Sequence, residues 1–118
     1  MTVNDIINAL GLTVFSGKEG LNKTINGGYS SDLLSDVMGH AEQGNVWLTL
    51  QTHKNIMAIA SLKDLAAVIV VKGFKPDADT IEKSNEEGIP VLGTDRSTFE
   101  TAGKLYSLLQ MKSIQSLH

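Results

Sequence analysis

Length, composition and charge exclude several classes of protein. The 118 residues suffice for one buried core, so we predict a single domain over residues 1–118. The chain has 10 basic and 13 acidic residues, a net charge of -3 and no basic stripe, which argues against nucleic acid as a partner. It has no cysteine, which excludes disulfides and thiolate metal sites and is typical of a reducing compartment.

The apolar segments give no sign of export or membrane insertion. The first residues, "MTVNDIINAL", include an acidic residue and no basic region, unlike a secretory signal. No apolar run approaches the ~18 residues that a membrane-spanning helix needs. We therefore predict a cytoplasmic protein without a membrane segment.

The chain begins with a short amphipathic helix followed by a strand. In "TVNDIINALG", we predict that Thr2 is the N-cap of the helix and that Asp5 is its capping-box partner. Gly11 is predicted to end the helix. The apolar run "LTVF" that follows predicts a first strand.

The next segment, "LNKTINGGYSSDLLSDVMGHA", predicts a strand and then a helix. Thr24 and Ile25 favour the strand, and two glycines after them let it bend or leave room. Ser30 or Ser31 is placed as the helix cap, and Asp32 reinforces that cap. One helical face would then carry four apolar residues: Leu33, Leu34, Val37 and Met38.

The remainder of the chain alternates strands with helices. "NVWLTLQ", "LAAVIVVKG" and "IPVLGT" predict strands, and the apolar middle one is typical of a strand covered on both faces. A helix capped by Thr52 follows the first of these strands. Another helix has Pro76 near its start and Gly88 just past its end. A capping box of Ser97 and Glu100 opens the last helix.

This alternation predicts one α/β domain with a mostly parallel sheet of about five strands and helices on both faces, because such strands are joined by right-handed crossovers. The last helix carries leucines and isoleucine far beyond its cap. They either pack on the sheet or pair with a second copy, and we favour a homodimer. These residues are Leu105, Leu108, Leu109, Ile114 and Leu117.

Polar side chains follow four of the predicted strands. Ligands of open α/β sheets bind beyond the carboxyl ends of the strands, so these segments predict a site for a polar or phosphorylated small molecule, such as a nucleotide. The same residue types also cap helices and form turns, which is the structural alternative. The candidate residues are Ser30, Ser31, Asp32, Thr52, His53, Lys72, Gly73, Thr94 and Asp95.

Motifs for metal binding and catalysis are weak or missing. Asp32, Asp36 and His40 are four residues apart and would share a helix face, which suits either a divalent ion or, as we favour, solvent. The sequence contains no "GxxxxGK[ST]", "GxGxxG" or "GxSxG" motif. We therefore predict a protein that is not an enzyme and holds no cofactor or metal.

The order of the segments "GGYSSDLLSDVMGHA", "VWLTLQTHKNIMAIA" and "VIVVKGFKPDADTIEKSNEEGIPVLGTDRSTFETAGKLY" resembles the DRTGG domain family over about residues 27–107. Similar segments form the regulatory middle of some phosphate acetyltransferases and the N-terminal domain of HPr kinase/phosphorylase. Others are joined to CBS domains in certain pyrophosphatases, and short relatives accompany iron-only hydrogenase genes. Of the residues that name the family, only Gly73 matches here.

The resemblance implies a domain that assists regulation and dimerisation without catalysing a reaction. Our first hypothesis is a regulatory domain that binds a small polar ligand and acts as a homodimer. The alternative is a ligand-free interaction adaptor for a metabolic enzyme such as a hydrogenase system.

Overall fold

A computed structural model describes residues 1–116, with side chains described through residue 111. Leu117 and the side chain of Ile114 therefore lie outside the described residues. The helices are α1 Val3–Leu10, α2 Leu34–His40, α3 Asn55–Leu62, α4 Ala78–Glu87 and α5 Thr98–Ser116. The strands are β1 Thr13–Ser16, β2 Gly27–Ser30, β3 Asn45–Thr49, β4 Ala67–Val70 and β5 Val91–Gly93, and one 3-10 turn spans Lys18–Gly20.

The strands form one sheet in the order β1-β5-β4-β3-β2. Strands β2 to β5 are parallel neighbours in chain order, whereas β1 pairs with β5 in the antiparallel direction, with Thr13 opposite Gly93. The predicted α/β class and mostly parallel five-stranded sheet are confirmed. The antiparallel strand matters for the site, because it brings the start of β1 to the place where β5 ends.

Helices cover both faces of the sheet, as predicted. Right-handed crossovers that all step in one direction put their helices on the same face, and residues of α2 and α3 indeed share one core with β4 residues Val68 and Val70. Residues of α1 and α5 pack on the other face, against Ala67 and Ile69. All four β4 side chains are buried because they alternate between these two cores.

Buried hydroxyl groups join β1 to α4 and the segment before β5. Ser16 donates to Ser84 across 2.8 Å, and Ser84 donates to the carbonyl oxygen of Ile89 across 2.6 Å. Both serines are at most 2% exposed, so these bonds satisfy polar groups that would otherwise be costly to bury. They hold β1 beside β5 although β1 has only four residues.

Two predicted helix caps are confirmed. The backbone N–H of Thr2 donates to Asp5 across 2.8 Å, the Asp5 N–H donates back to the Thr2 hydroxyl, and Gly11 ends α1 at φ +63°. The Glu100 N–H donates to the Ser97 hydroxyl at 3.2 Å, which caps α5. The Glu100 carboxylate differs from the expected capping box in accepting from the Ser97 hydroxyl instead of its backbone N–H.

The predictions around β2 and α2 are partly wrong. Strand β2 begins at Gly27, and Thr24 forms only an isolated bridge to Thr2, because the chain there runs beside α1. Helix α2 begins at Leu34, later than the predicted cap at Ser30 or Ser31 had implied. Its expected apolar stripe is incomplete: Val37 is buried, but Leu33 is 64% and Met38 37% exposed.

The turn after β1 packs tightly against the segment that enters β5. A Cβ atom added to Gly20 would collide with the carbonyl oxygen of Gly88 and lie 2.7 Å from Cδ of Pro90. We expect Gly20→Ala to destabilise the domain by about 1–3 kcal/mol, as over-packing does elsewhere. The free energy of unfolding, measured in urea, tests this expectation.

Gly39→Ala is the matched control, since Gly39 lies inside α2 and a Cβ there would meet nothing within 4 Å. It should raise stability by about 0.5–1 kcal/mol because alanine favours the helix. Equal effects of the two substitutions would contradict the packing described for Gly20.

Candidate functional site

The four parallel strands β2 to β5 end at one edge of the sheet, here called the carboxyl edge. Their last residues lie within one position of each other in the sheet register, so the four following loops leave the sheet side by side. These loops carry every candidate residue except Ser30, which is the last residue of β2. The loops differ in what their polar groups contact, and this divides the carboxyl edge into two parts.

At the ends of β2 and β3, Asp32 bridges two loops. One carboxylate oxygen accepts from the Thr49 hydroxyl at 2.9 Å and from the Leu50 N–H at 2.7 Å, and the Asp32 carbonyl accepts from Gln51 at 3.0 Å. The sequence had suggested that Asp32 and Asp36 share a helix face. This expectation is wrong, because Asp32 precedes the start of α2. Its carboxylate serves to hold the β2 and β3 loops together.

Ser31 also makes structural contacts. Its hydroxyl accepts from the Leu33 N–H at 3.1 Å, and its carbonyl accepts from the indole N–H of Trp47 at 2.8 Å. The predicted serine cap of α2 is wrong, because Leu33 occupies the N-cap position without a side-chain bond. Ser30 is exposed and lies on a different surface, described below.

Thr52 and His53 lie in the loop after β3. Helix α3 starts at Asn55 and has Lys54 at its N-cap, so the predicted Thr52 cap is wrong. The Thr52 carbonyl instead accepts from the Thr80 hydroxyl at 2.7 Å, which fixes the loop to α4. His53 is exposed, and its Nδ1 accepts from the Asn55 N–H at 3.2 Å.

Lys72 and Gly73 form a tight turn after β4. Both have positive φ, +61° and +74°, and the Phe74 N–H donates back to the Val71 carbonyl at 3.2 Å. Glycine adopts this conformation freely, whereas a lysine there costs about 1–2 kcal/mol. The turn is bonded to the loop after β5, because the Lys72 N–H donates to the carbonyl of Arg96 at 2.8 Å.

A cavity of about 610 Å³ opens beside this turn, and we call it the β1–β5 cavity. It combines backbone, hydroxyl, aromatic and charged groups from three segments. Among the predicted site residues, Gly73, Thr94 and Asp95 line it. The sequence had not indicated that residues of β1 and of the segment before it would line a site. They lie here because β1 pairs with β5 in the antiparallel direction. The full lining is Gly11, Thr13, Phe15, Gly73, Phe74, Lys75, Gly93, Thr94, Asp95 and Arg96.

Arg96 lines the β1–β5 cavity, and hydrogen bonds fix the position of its guanidinium group. Its Nη1 donates to the Leu10 carbonyl at the end of α1 at 2.7 Å and lies 3.4 Å from the Thr94 hydroxyl. These bonds involve one nitrogen of a guanidinium group that has five N–H donors. The cation is thus held in place by α1 and keeps other donors for a further contact.

A second cavity, of about 420 Å³, lies between β2 and α5 and is called the β2–α5 groove. Its walls are mainly apolar and include Leu105 and Leu109, and Ser30 is the predicted site residue found there. Phe99 and Tyr106, 80% and 67% exposed, also line it. The two cavities share no lining residue, so Ser30 is separated from Gly73 and Asp95.

Tyr29 and Asp36 form a hydrogen-bonded pair beside β2. The Tyr29 hydroxyl donates to the Asp36 carboxylate at 2.8 Å, and His40 Nδ1 lies 3.2 Å from the same oxygen. Hydrogen bonds from Tyr29 and Ser31 and the charge of His40 lower the pKa of Asp36 below its usual 3.8. The bond to Asp36, together with desolvation, raises the pKa of Tyr29 above 10.0.

Residues 1–116 contain neither a metal-binding cluster nor a membrane-spanning helix. In that part of the chain, His, Asp and Glu form no group of three that could hold a metal ion. Within the same residues, every helix is too short or too polar to cross a membrane.

Comparisons with known proteins identify relatives of this fold. The family model described as "DRTGG domain" matches residues 5–108, which extends the resemblance back through α1 and β1. The uncharacterized protein YtoI of Bacillus subtilis (strain 168) is 27% identical over 109 residues, which are 89% of this chain and 24% of YtoI. The chain therefore spans about a quarter of that relative's length.

A solved structure shares the same architecture. It contains the CBS and DRTGG domains of the regulatory region of Clostridium perfringens pyrophosphatase, complexed with the activator diadenosine tetraphosphate. The match has a TM-score of 0.68 at 18% identity and covers 88% of this chain and 45% of that chain. At 18% sequence identity, this structural similarity establishes a shared fold and nothing further.

Replacing Tyr29 with Phe removes the donor to Asp36, and we expect a pH-dependent loss of stability. The folded protein has a lowered Asp36 pKa. The pair therefore contributes to the free energy of unfolding above pH 3.8, and this contribution is lost as pH falls through the folded pKa. Because the folded pKa of Tyr29 is raised, the contribution is present below pH 10.0 and is lost as pH rises through that folded pKa.

Urea unfolding at about pH 7 and about pH 2.5 measures this difference, since the lower value lies below 3.8, where the contribution of the pair begins to fall. The difference in the free energy of unfolding between wild type and Tyr29→Phe should be smaller at the lower pH. Tyr106→Phe is the control, because Tyr106 is 67% exposed. A gap of the same size at both values would show that the carboxylate does not accept this bond.

Proposed function

This chain belongs to the DRTGG domain family, and we propose that it is a non-catalytic regulatory domain that binds a small polar ligand at the carboxyl edge and acts as a homodimer in the cytoplasm. The ligand is a nucleotide or another phosphorylated metabolite. The observation that carries the proposal is the β1–β5 cavity, where Lys75 and Arg96 face a space of about 610 Å³. Pockets for small molecules have volumes of about 300–1,000 Å³.

The solved relative supports a regulatory role. In the Clostridium perfringens pyrophosphatase, a DRTGG domain forms part of a regulatory region, and that region was solved with a nucleotide activator. We propose that the present chain likewise responds to a nucleotide, although it spans less than half of that structure. The proposed site includes Gly73, Thr94 and Asp95, with the exposed Lys72 beside it. The other predicted residues do not line this cavity: Ser30 lines the β2–α5 groove, and Ser31, Asp32, Thr52 and His53 lie in the loops after β2 and β3.

The conformation of Lys72 favours a ligand-binding role for this turn. A lysine at φ +61° is strained, and strained non-glycine residues cluster at functional sites. Glycine would fit the same turn without that cost. We therefore propose that the ammonium group of Lys72 contributes to binding an anion, which offsets its backbone strain.

Exposed aromatic residues on α5 support association with a second copy. Phe99 and Tyr106 are mostly in solvent, as is Met111 at 58%. Twofold pairing is the commonest way for a small domain to cover such a surface. The same surface also favours the second candidate function, a ligand-free adaptor that docks a metabolic enzyme such as a hydrogenase system.

We expect nucleotides or phosphorylated metabolites to raise the melting temperature of the domain, because a ligand that binds the folded state stabilises it by mass action. Lys72→Gly should abolish or sharply reduce the increase. In the absence of ligand it should raise stability by as much as about 1 kcal/mol by removing backbone strain. Thermal unfolding with a metabolite panel measures both effects and separates lost binding from lost folding.

Lys83→Ala is the control, because Lys83 is exposed on α4 and pairs with Glu86 at 3.3 Å, away from the β1–β5 cavity. It should keep the full ligand response. If nothing in the panel changes the melting temperature, the ligand-binding function is refuted. Loss of association after replacing Tyr106, with ligand response intact, would assign α5 to the dimer.

A further inference from the structure

We propose that the β1–β5 cavity takes a nucleoside monophosphate, with its base against Phe74 and Phe15, its sugar hydroxyls at Asp95 and its phosphate at Lys75 and Arg96. This inference rests on the proposed function, because it assigns a ligand class to the same edge. It depends on five side chains that lie around one space but come from three different segments.

The aromatic side chains provide a surface for a planar ring. Phe74 follows the Lys72–Gly73 turn directly, lines the cavity and is 49% exposed. Phe15 reaches the cavity from β1 and packs onto the backbone of Gly93, where an added Cβ would lie 2.9 Å from its Cζ atom. Glycine at position 93 is thus required for the ring to lie against β5. Bases stack on such rings with a gain of about 1–3 kcal/mol by alanine substitution in other proteins.

The cations provide the contact for a phosphate group. Lys75 is exposed and free to turn toward an anion. Arg96 is held by the Leu10 carbonyl through Nη1, and the N–H groups on its other nitrogens take no part in that bond. A planar guanidinium group fixed in this way suits a phosphate, because it offers parallel donors in a set direction.

The carboxylate of Asp95 argues against a ligand that is only an anion. It lines the same cavity and would repel a phosphate placed beside it. A carboxylate does accept hydrogen bonds from sugar hydroxyls, as in nucleotide-binding sheets. Gly73 leaves space for Asp95, since a Cβ at position 73 would lie 3.1 Å from a carboxylate oxygen.

Two cations, one carboxylate and two rings therefore match a ligand with an anionic end, a hydroxylated middle and an aromatic end. The β2–α5 groove has aromatic side chains, but among the residues whose side chains are described no Lys, Arg, Asp or Glu lines it, so it does not offer this combination. A nucleoside monophosphate has all three parts in one molecule.

Isothermal titration calorimetry of the full chain can test this ligand class with AMP, GMP, CMP and UMP as probes. Ribose 5-phosphate lacks the base, and adenosine lacks the phosphate. At least one nucleotide should bind tighter than both fragments by about tenfold or more, a difference that one base stack or one charge contact supplies. If none of the four nucleotides binds, or ribose 5-phosphate binds as tightly, the inference is wrong.

Phe74→Leu keeps an apolar side chain but removes the ring. It should weaken nucleotide binding about five- to 150-fold and leave ribose 5-phosphate binding unchanged. Leu62→Ala is the control, because Leu62 is an apolar side chain on α3 that is 71% exposed and lies outside both this cavity and the surface proposed for the dimer. Lys75→Gln should weaken AMP binding but not adenosine binding.

The outcomes separate this inference from the proposed function. Nucleotide binding that Phe74→Leu does not weaken, or that is no tighter than ribose 5-phosphate binding, would overturn the inference and leave a ligand-binding domain. A metabolite panel that produces no response at all would overturn both. Tighter binding of a nucleotide that both Phe74→Leu and Lys75→Gln weaken would establish the assignment.

Discussion

The architecture depends on burying strand β4 on both of its faces. Every side chain from Ala67 to Val70 is buried, and alternate residues enter two separate cores. Such a strand needs helices on each side, which in turn requires crossover connections and a parallel sheet. Because parallel strands end together, the polar residues that cannot enter either core are gathered at the carboxyl edge.

The carboxyl edge is divided by its own hydrogen bonds. At the β2 and β3 ends, Asp32 and Thr52 are engaged with neighbouring backbone and hydroxyl groups and hold loops together. At the β4 and β5 ends, Lys75 and Asp95 line an open cavity. Antiparallel β1 completes that cavity with Phe15. We infer that the first part supports the fold and the second part serves recognition.

Much of the fold could be predicted because local patterns and tertiary structure agree. The unbroken apolar run of β4 and the cap at Thr2 depend on neighbours in sequence, and both were confirmed. The pairing of β1 with β5 could not be predicted, since a four-residue strand acquires its direction from contacts such as Ser16 with Ser84. For the same reason Phe15 was missed. The Asp32 bridge was also hidden, because its partners are distant in sequence.

We propose that ligand recognition occurs in the part of the carboxyl edge between β1, β4 and β5. Amide chemical-shift mapping of labelled protein, titrated with each nucleoside monophosphate, tests this claim most directly. We expect the largest changes at residues 11–15, 73–75 and 93–96. Changes centred on Ser30, Gly103 and Tyr106 at the β2–α5 groove, or no changes with any nucleotide, would contradict it.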